Sequence, residues 1–194
     1  NERKSITPQP SEGYKRYLDT SGGVSPRTLP GTVNGGHIAT SYTHQEDGFY
    51  SSGNKEYAAF EPEVTRKSID KLYRKFATLA AEITDSIVLH GSKDAEITLV
   101  GWGSTKGAIL EALKSAKHAG KSANFVQVRY ISPFPTKAIE EILRHSQRTL
   151  LVEGNATGQL GDLIRVNTGI HLEERYLKYD GKPFTPSGIW QRIQ

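Results

Sequence analysis

The chain has 194 residues and a formal net charge of +4, which allows one large domain or one domain with a long appendage. It contains no cysteine, so it can form no disulfide, use no thiol nucleophile and supply no thiolate to an iron–sulfur cluster. The sequence has no apolar run of membrane-spanning length, no signal peptide and no basic block interleaved with aromatics, so we expect a cytoplasmic protein without membrane or nucleic-acid partners.

Residues 1–60 have the composition of a loop, because proline and glycine are frequent and the aliphatic residues follow no sustained period. We interpret this stretch as an irregular linker ordered against something else, or as a loop that covers a partner's active site. The sequence begins with Asn1 and contains no methionine, which suggests a fragment of a longer subunit.

Residues 61–85 carry apolar side chains at helical spacing and predict a linking amphipathic helix, with Pro62 in its first turn. The basic residues on its other side, among them Lys71 and Lys75, are interpreted as a solvated face, with a docking surface as the alternative. The apolar stripe consists of Ile69, Leu72, Tyr73, Phe76, Leu79, Ala80 and Ile83.

Residues 86–194 alternate strand and helix patterns in the order βαβαβαβα, which predicts an α/β domain with a mainly parallel sheet and flanking helices. Strands are predicted at residues 97–100, 125–131, 149–153 and 172–178. Thr136 and Thr185 are predicted helix caps. Leu113 is predicted to be buried beside Ile109.

The glycine-rich turn after the first of these strands offers a candidate phosphate site at Gly103, Ser104 and Lys106, since a helix N-terminus has free N–H groups. Its glycine spacing fits neither the dinucleotide fingerprint nor the P-loop. The alternative is a turn that only lets the backbone pass tightly.

Glu153, Asn155 and Gln159 follow another predicted strand, at the end where open α/β sheets place ligands. Glu153 and Gln159 are candidates for a cofactor or subunit interface. The alternative is structural, with Asn155 or Thr157 capping the next helix.

His44 and Glu46 lie in a polar loop and are candidates for acid–base work in a partner's cleft. No third ligand lies near them in the sequence, so we predict no metal site. A polar surface loop is the alternative.

Several motifs together resemble the α subunit of 2-oxoacid:ferredoxin oxidoreductases. Residues 23–32 (GVSPRTLPGT) are similar to that family's G-(I/V)-S-P-R-x-x-P-G segment, residues 40–48 to its T-G-x-E-H-D-E-x-G loop, and residues 153–160 (EGNATGQL) to its E-Q-N-x-x-G-Q-L turn. Residues 167–170 and 178–184 also match. The chain departs from the pattern at residues 41–43, at Gln45 and at Gly154.

The resemblance implies a long irregular segment, a linking helix and a domain like the C-terminal domain of transketolase, all following a missing domain that binds the pyrimidine of thiamine diphosphate. It implies oxidative decarboxylation of a 2-oxoacid with coenzyme A and ferredoxin, in the 2-oxoglutarate or broad 2-oxoacid branch. Thiamine diphosphate, Mg²⁺ and a [4Fe-4S] cluster are expected on a β subunit, and none on this chain alone.

The resemblance also directs the loop with Arg27, Gly35 and Gly36 toward substrate or cofactor, and the Gly103 turn toward coenzyme A. Two other classes of function remain open. One is a structural or assembly domain without a catalytic role, and the other is a stand-alone nucleotide-binding α/β domain.

Overall fold

The computed structural model describes residues 12–39, 43–46, 48 and 61–194. The chain separates into two compact units, residues 1–83 and residues 84–194. The helices and strands are α1 (Pro62–Glu82), β1 (Ile87–His90), β2 (Ile97–Trp102), α2 (Thr105–His118), β3 (Ala123–Val128), α3 (Thr136–His145), β4 (Arg148–Glu153), α4 (Gln159–Thr168), β5 (Glu174–Leu177) and α5 (Pro186–Ile193).

Helix α1 lies where the apolar period predicts a helix, with Pro62 at its first position. None of its residues is buried, and the apolar stripe is exposed, with Tyr73 at 72% and Phe76 at 46%. In the part of the chain that the structure describes, no helix is both long enough and apolar enough to cross a bilayer. The predicted cytoplasmic location and the division at residues 60 and 85 stay predictions.

The second unit contains a five-stranded sheet in the order β1-β3-β2-β4-β5. Strands β3, β2, β4 and β5 are parallel, and β1 pairs antiparallel with β3 at one edge. The predicted α/β architecture with a mainly parallel sheet is therefore confirmed. Along the chain, β2 is followed by β3 on one side, and β4 lies on its other side, so the strand order switches between β2 and β4.

Two apolar clusters cover the two faces of this sheet. Leu99 and its alternate neighbours join the cluster that includes α2 and α5, whereas Val100 joins the cluster that includes α3 and α4. This alternation follows from the period of two along a strand. Because both faces are covered, β2 reads as a continuous apolar run.

In this unit the sequence missed one strand, and one predicted burial needs correction. Strand β1 was not predicted, because its four half-buried residues are too few to show a period. Leu113 is only partly buried at the edge of the cluster that contains Ile109, which is fully buried. Truncating Leu113 therefore removes less buried surface than the sequence suggests.

Of the two predicted helix caps, one is wrong and one is confirmed. The predicted Thr136 cap is wrong, because Pro135 takes the cap position and Thr136 is the first helical residue. The predicted Thr185 cap is confirmed, since its hydroxyl accepts a hydrogen bond from the Gly188 N–H at 3.2 Å. The fixed φ of a proline at the following position suits this arrangement.

Candidate functional site

In the first unit, an irregular segment lies along the basic side of α1. Lys71 Nζ donates to the carbonyl oxygen of Tyr17 at 2.7 Å, and Thr78 Oγ1 donates to that of Gly22 at 2.8 Å. This side of the helix was interpreted as solvated. Part of this side instead contacts residues 17–22 of the same chain, and its use as a docking surface for a partner stays a prediction.

Gly23 allows the segment to approach the helix backbone. Its φ is +74°, and a Cβ at this position would stand 2.5 Å from the carbonyl oxygen of Lys71 and 2.6 Å from the backbone nitrogen of Lys75. Only glycine fits such a contact without displacing the helix or the segment. The first glycine of the GVSPR motif therefore has a direct structural reason.

His44 stacks on Tyr17 in the same unit. The two ring centroids are 4.4 Å apart and the ring planes are 10° from parallel. The imidazole is half-buried. The stack fixes the plane of the imidazole ring.

Glu46 ties the His44 loop to residues 15–19. Its Oε1 accepts from the backbone N–H of Asp19 at 3.1 Å, and its Oε2 pairs with Lys15 Nζ at 3.1 Å. The hydrogen bond from Asp19 and then that from Lys15 lower the pKa of this carboxyl. Among the described hydrogen bonds, none joins Glu46 to the imidazole, so its role in orienting His44 stays a prediction.

Two neighbouring clefts share the wall made by Tyr17, His44, Ser68 and Lys71. The first, here called the Glu46 cleft, has a volume of about 430 Å³, and its remaining lining residues are Lys15, Asp19, Gln45, Glu46, Val64 and Lys67. The second, here called the basic cleft, has a volume of about 250 Å³, and its remaining lining residues are Arg16, Gly23, Val24, Ser25, Arg27, Thr43, Leu72 and Lys75.

Lys71 lies between the two clefts. Burial lowers the pKa of its ammonium, against the opposing attraction of Asp19 and Glu46. A cation that has lost part of its hydration gains from an anionic ligand. The shared wall therefore combines a stacked aromatic pair with a partly desolvated positive charge.

The three predicted substrate-facing loop residues separate in the structure. Arg27 lines the basic cleft together with His44. Gly35 belongs to a turn in which its N–H donates to the Thr32 carbonyl oxygen at 3.0 Å. Neither Gly35 nor Gly36 lines either cleft.

Packing between β2 and α2 explains Gly101, the first glycine of the glycine-rich stretch in the second unit. A Cβ on Gly101 would stand 2.7 Å from Thr105 Oγ1, 2.9 Å from Ile109 Cδ1 and 3.1 Å from the Val152 carbonyl oxygen. The close passage of the backbone favours the structural alternative for this glycine.

A groove of about 680 Å³, here called the switch-point groove, opens where the strand order reverses. Ser104 lines it, whereas Gly103 and Lys106, predicted with it, do not. Open α/β sheets place ligands at such a point. The full set of lining residues is Ser104, Ala108, Gly154, Lys178, Tyr179, Gly181, Lys182, Pro183 and Phe184.

Glu153 is 1% exposed and acts as a hydrogen-bond acceptor for three groups around it. Its Oε1 accepts from Trp102 Nε1 at 3.2 Å and from Asn155 Nδ2 at 2.7 Å. The backbone N–H of Leu160 in the first turn of α4 lies 2.9 and 3.0 Å from its two oxygens. Glu153 therefore holds the β4–α4 turn together from inside.

Asn155 satisfies the backbone just before α4. Its Oδ1 accepts from the N–H groups of Thr157 at 3.2 Å and Gly158 at 2.6 Å, while Gly158 occupies the cap position. Neither of the two predicted cap residues, Asn155 and Thr157, takes the cap position, although Asn155 supports the turn just before it, and a role of Asn155 at an interface stays a prediction. Gln159 is the first residue of α4 and is exposed, so it is accessible for an interface.

Sequence reasoning missed Tyr17, Lys178 and Lys182 as lining residues. Lys71 and Lys75, one helical turn apart on the basic side of α1, gave the available signal. Tyr17 gave none, because its stacking partner lies far along the chain.

The geometry defines two features: an α/β domain with a switch-point groove, and a separate unit with a basic cleft against a helix. Residues 95–189 match the family model described as pyruvate:ferredoxin oxidoreductase core domain II. The α subunit of 2-oxoacid:ferredoxin oxidoreductase 2 from Aeropyrum pernix is 35% identical over 196 residues, covering 98% of this chain and 29% of that protein.

A solved structure agrees with this match. The 2-oxoglutarate:ferredoxin oxidoreductase from Magnetococcus marinus, solved with 2-oxoglutarate, coenzyme A and succinyl-CoA bound, has a TM-score of 0.73 and 28% identity. The similarity covers 98% of this chain and 32% of that chain. A transketolase from Pichia stipitis has a TM-score of 0.44 and 18% identity, covering 57% of this chain and 18% of that chain.

The chain is therefore homologous to 2-oxoacid:ferredoxin oxidoreductase α subunits along nearly its whole length, as the motifs predict. It spans 29% of the length of the Aeropyrum relative.

Proposed function

We propose that this chain forms part of the α subunit of a thiamine-diphosphate-dependent 2-oxoacid:ferredoxin oxidoreductase. The enzyme oxidatively decarboxylates a 2-oxoacid, joins the acyl group to coenzyme A, releases carbon dioxide and passes the electrons to ferredoxin. The observation that carries this proposal is the similarity to a 2-oxoacid:ferredoxin oxidoreductase α subunit along nearly the whole chain. The 2-oxoglutarate enzyme among the solved structures supports a 2-oxoglutarate or broad 2-oxoacid substrate.

The cofactors belong, in this proposal, to a β subunit. Thiamine diphosphate supplies the carbanion chemistry, Mg²⁺ holds its diphosphate, and a [4Fe-4S] cluster carries electrons. This chain has no cysteine to bind a cluster, and its described residues contain no group of three or more His, Asp or Glu side chains that fits a metal ion. We derive no step through these groups.

His44 is the proposed acid–base or hydrogen-bonding residue of this chain. It is half-buried, fixed by the stack on Tyr17 and adjacent to both clefts. An imidazole in that position can hold a proton or pair with the carboxylate of a 2-oxoacid. Glu46 keeps the loop in place through Asp19 and Lys15.

The second unit takes the remaining roles. Ser104, with Gly103 and Lys106 in the same turn, is proposed to face a phosphate of coenzyme A, supported by the position of Ser104 in the switch-point groove. Glu153 and Asn155 shape the turn that presents Gln159 to the β subunit.

The test is a His44→Ala variant of the full-length α subunit, assembled with its β subunit. With 2-oxoglutarate, coenzyme A and a ferredoxin, we expect turnover to fall about 10²-fold, the lower range for losing a positioned acid–base group. A His118→Ala variant is the matched control, because His118 is exposed at the end of α2. Its turnover should equal that of the wild type.

Wild-type turnover in the His44→Ala enzyme would leave only a structural role for the loop. An assembled wild-type enzyme that reduces no ferredoxin with any 2-oxoacid would contradict the proposed activity. Saturable binding of ATP to this chain would favour the stand-alone nucleotide-binding alternative.

A further inference from the structure

The basic cleft differs in charge from the segment around it. Residues 1–85 contain 11 Lys and Arg against 11 Asp and Glu, so this part of the chain is formally neutral. The described lining of the cleft nevertheless contains cations and no carboxylate. Its cations are Arg16, Arg27, Lys71 and Lys75. Cations concentrated in a concave surface raise the local concentration of anions.

Among the described residues, Asp19 and Glu46 attract Lys71, but neighbouring carboxylates pair with neither Arg27 nor Lys75. Asp19 pairs with Arg74, which does not line the cleft. Within the described ranges, no carboxylate lies within ion-pair distance of Arg27 or Lys75. Both side chains therefore keep their donors for another group.

The wall of the cleft is suited to a bound anion. Lys71 uses one of the three donors of an ammonium on the Tyr17 carbonyl oxygen, and burial lowers the pKa of this group. The stacked rings of Tyr17 and His44 form a flat surface beside it. An anion at this place offsets the lost hydration of the ammonium.

We propose that the basic cleft binds an anionic group, a carboxylate or a phosphate, through Arg27, Lys71 and Lys75. Its volume of about 250 Å³ lies below the range of roughly 300–1,000 Å³ for drug-sized ligands. It therefore accepts a small organic acid or the charged end of a larger molecule. The two sources to be tested, a 2-oxoacid carboxylate and a coenzyme A phosphate, rest on the proposed function, whereas the anion site itself rests on the cleft.

The experiment is calorimetric titration of the 194-residue chain at low ionic strength with inorganic phosphate, 2-oxoglutarate and coenzyme A. Saturable binding of 2-oxoglutarate without phosphate identifies a carboxylate site, and binding of phosphate and coenzyme A without 2-oxoglutarate identifies a phosphate site. Either result supports the proposal. The affinity should fall as salt is added, because the cleft is partly exposed.

The variants assign the binding to the cleft. In the Arg27→Gln/Lys75→Gln double variant we expect an affinity about 10- to 100-fold weaker, the effect of losing hydrogen bonds from charged groups. Lys117→Gln, an exposed change on α2, is the matched control and should bind as the wild type. Circular dichroism checks that each variant is folded.

No saturable binding of any of the three probes would overturn the proposal, and so would an unchanged affinity in the folded double variant. The titration needs neither β subunit nor turnover. Its failure is therefore distinct from a failure of the proposed activity.

Discussion

At the scale of single residues, Glu153 shows what a buried carboxylate can do without any catalytic step. Its oxygens accept from an indole, a side-chain amide and a backbone N–H at the start of α4. All three partners are donors, and a carboxylate is the side chain that offers acceptors alone. The acceptors of Glu153 are thus matched to the donors of the turn that it holds together.

Replacing Glu153 with Gln tests this account. The new amide group would direct its own donors toward groups that are themselves donors, so we expect the free energy of unfolding to fall by about 1–3 kcal/mol. Urea denaturation of the whole chain measures the loss. Glu173→Gln, an exposed change, is the control and should leave the stability within error of the wild type. Equal stability in the two variants would contradict a structural role for Glu153.

Glu46 gives a prediction about pH. The Asp19 N–H and Lys15 hold the pKa of this carboxyl below its ordinary value, so the contact is fully present above that value. It is lost as the pH falls through the depressed pKa. We expect the Asp19 amide resonance to shift during acidification below about pH 4.3, the ordinary pKa of Glu. The Glu46→Gln variant should lack this component, and an identical titration in both would show that the contact is absent.

At the scale of elements, we expect substitution by alanine to have opposite effects at Gly101 in β2 and at Gly107 in α2. Gly101→Ala should lower the free energy of unfolding by about 1–3 kcal/mol, because the new Cβ overlaps Thr105 and Ile109. Gly107→Ala should raise it by about 0.5–1 kcal/mol, because Gly107 is helical and nothing lies within 4 Å of its Cβ position. Thermal and urea unfolding check both. A loss at Gly107 would contradict the open space.

The elements that the sequence predicts best are those with a long apolar period or a clear break. Helix α1 and strand β2 are examples. Helix α1 carries a long apolar period although none of its residues is buried, and five of the six residues of β2 are buried. Strand β1 escapes prediction because its place is set by pairing with β3, which is remote in sequence. Thr136 misleads because a proline already occupies the cap position.

In the candidate site, too, some features are predictable from the sequence and others are not. His44 and Arg27 are found through motifs, and the structure brings them to one cleft. The stack on Tyr17 and the carbonyl contact of Lys71 are not predictable, because they join residues distant along the chain. Local patterns report a residue's own burial, whereas such contacts depend on how separate segments meet.

At the scale of the whole molecule, the apolar clusters found among the described residues lie in one unit. Both clusters consist of residues between Ile87 and Ile193. We therefore expect residues 84–194 alone to unfold cooperatively and to give a dispersed amide spectrum. Limited proteolysis of the intact chain should cleave first within residues 1–60. Survival of the N-terminal part after degradation of residues 84–194 would contradict this prediction.

The contact between Trp102 and Glu153 also makes tryptophan fluorescence a probe of this part of the molecule. The chain has two tryptophans, and the other, Trp190, packs against the opposite cluster of the second unit. An indole N–H bonded to a buried carboxylate emits light in an environment set by that charge. In a Trp190→Phe chain, the remaining fluorescence comes from the point where the sheet changes its strand order. A ligand that enters the neighbouring switch-point groove would then change the emission wavelength or the intensity of this fluorescence.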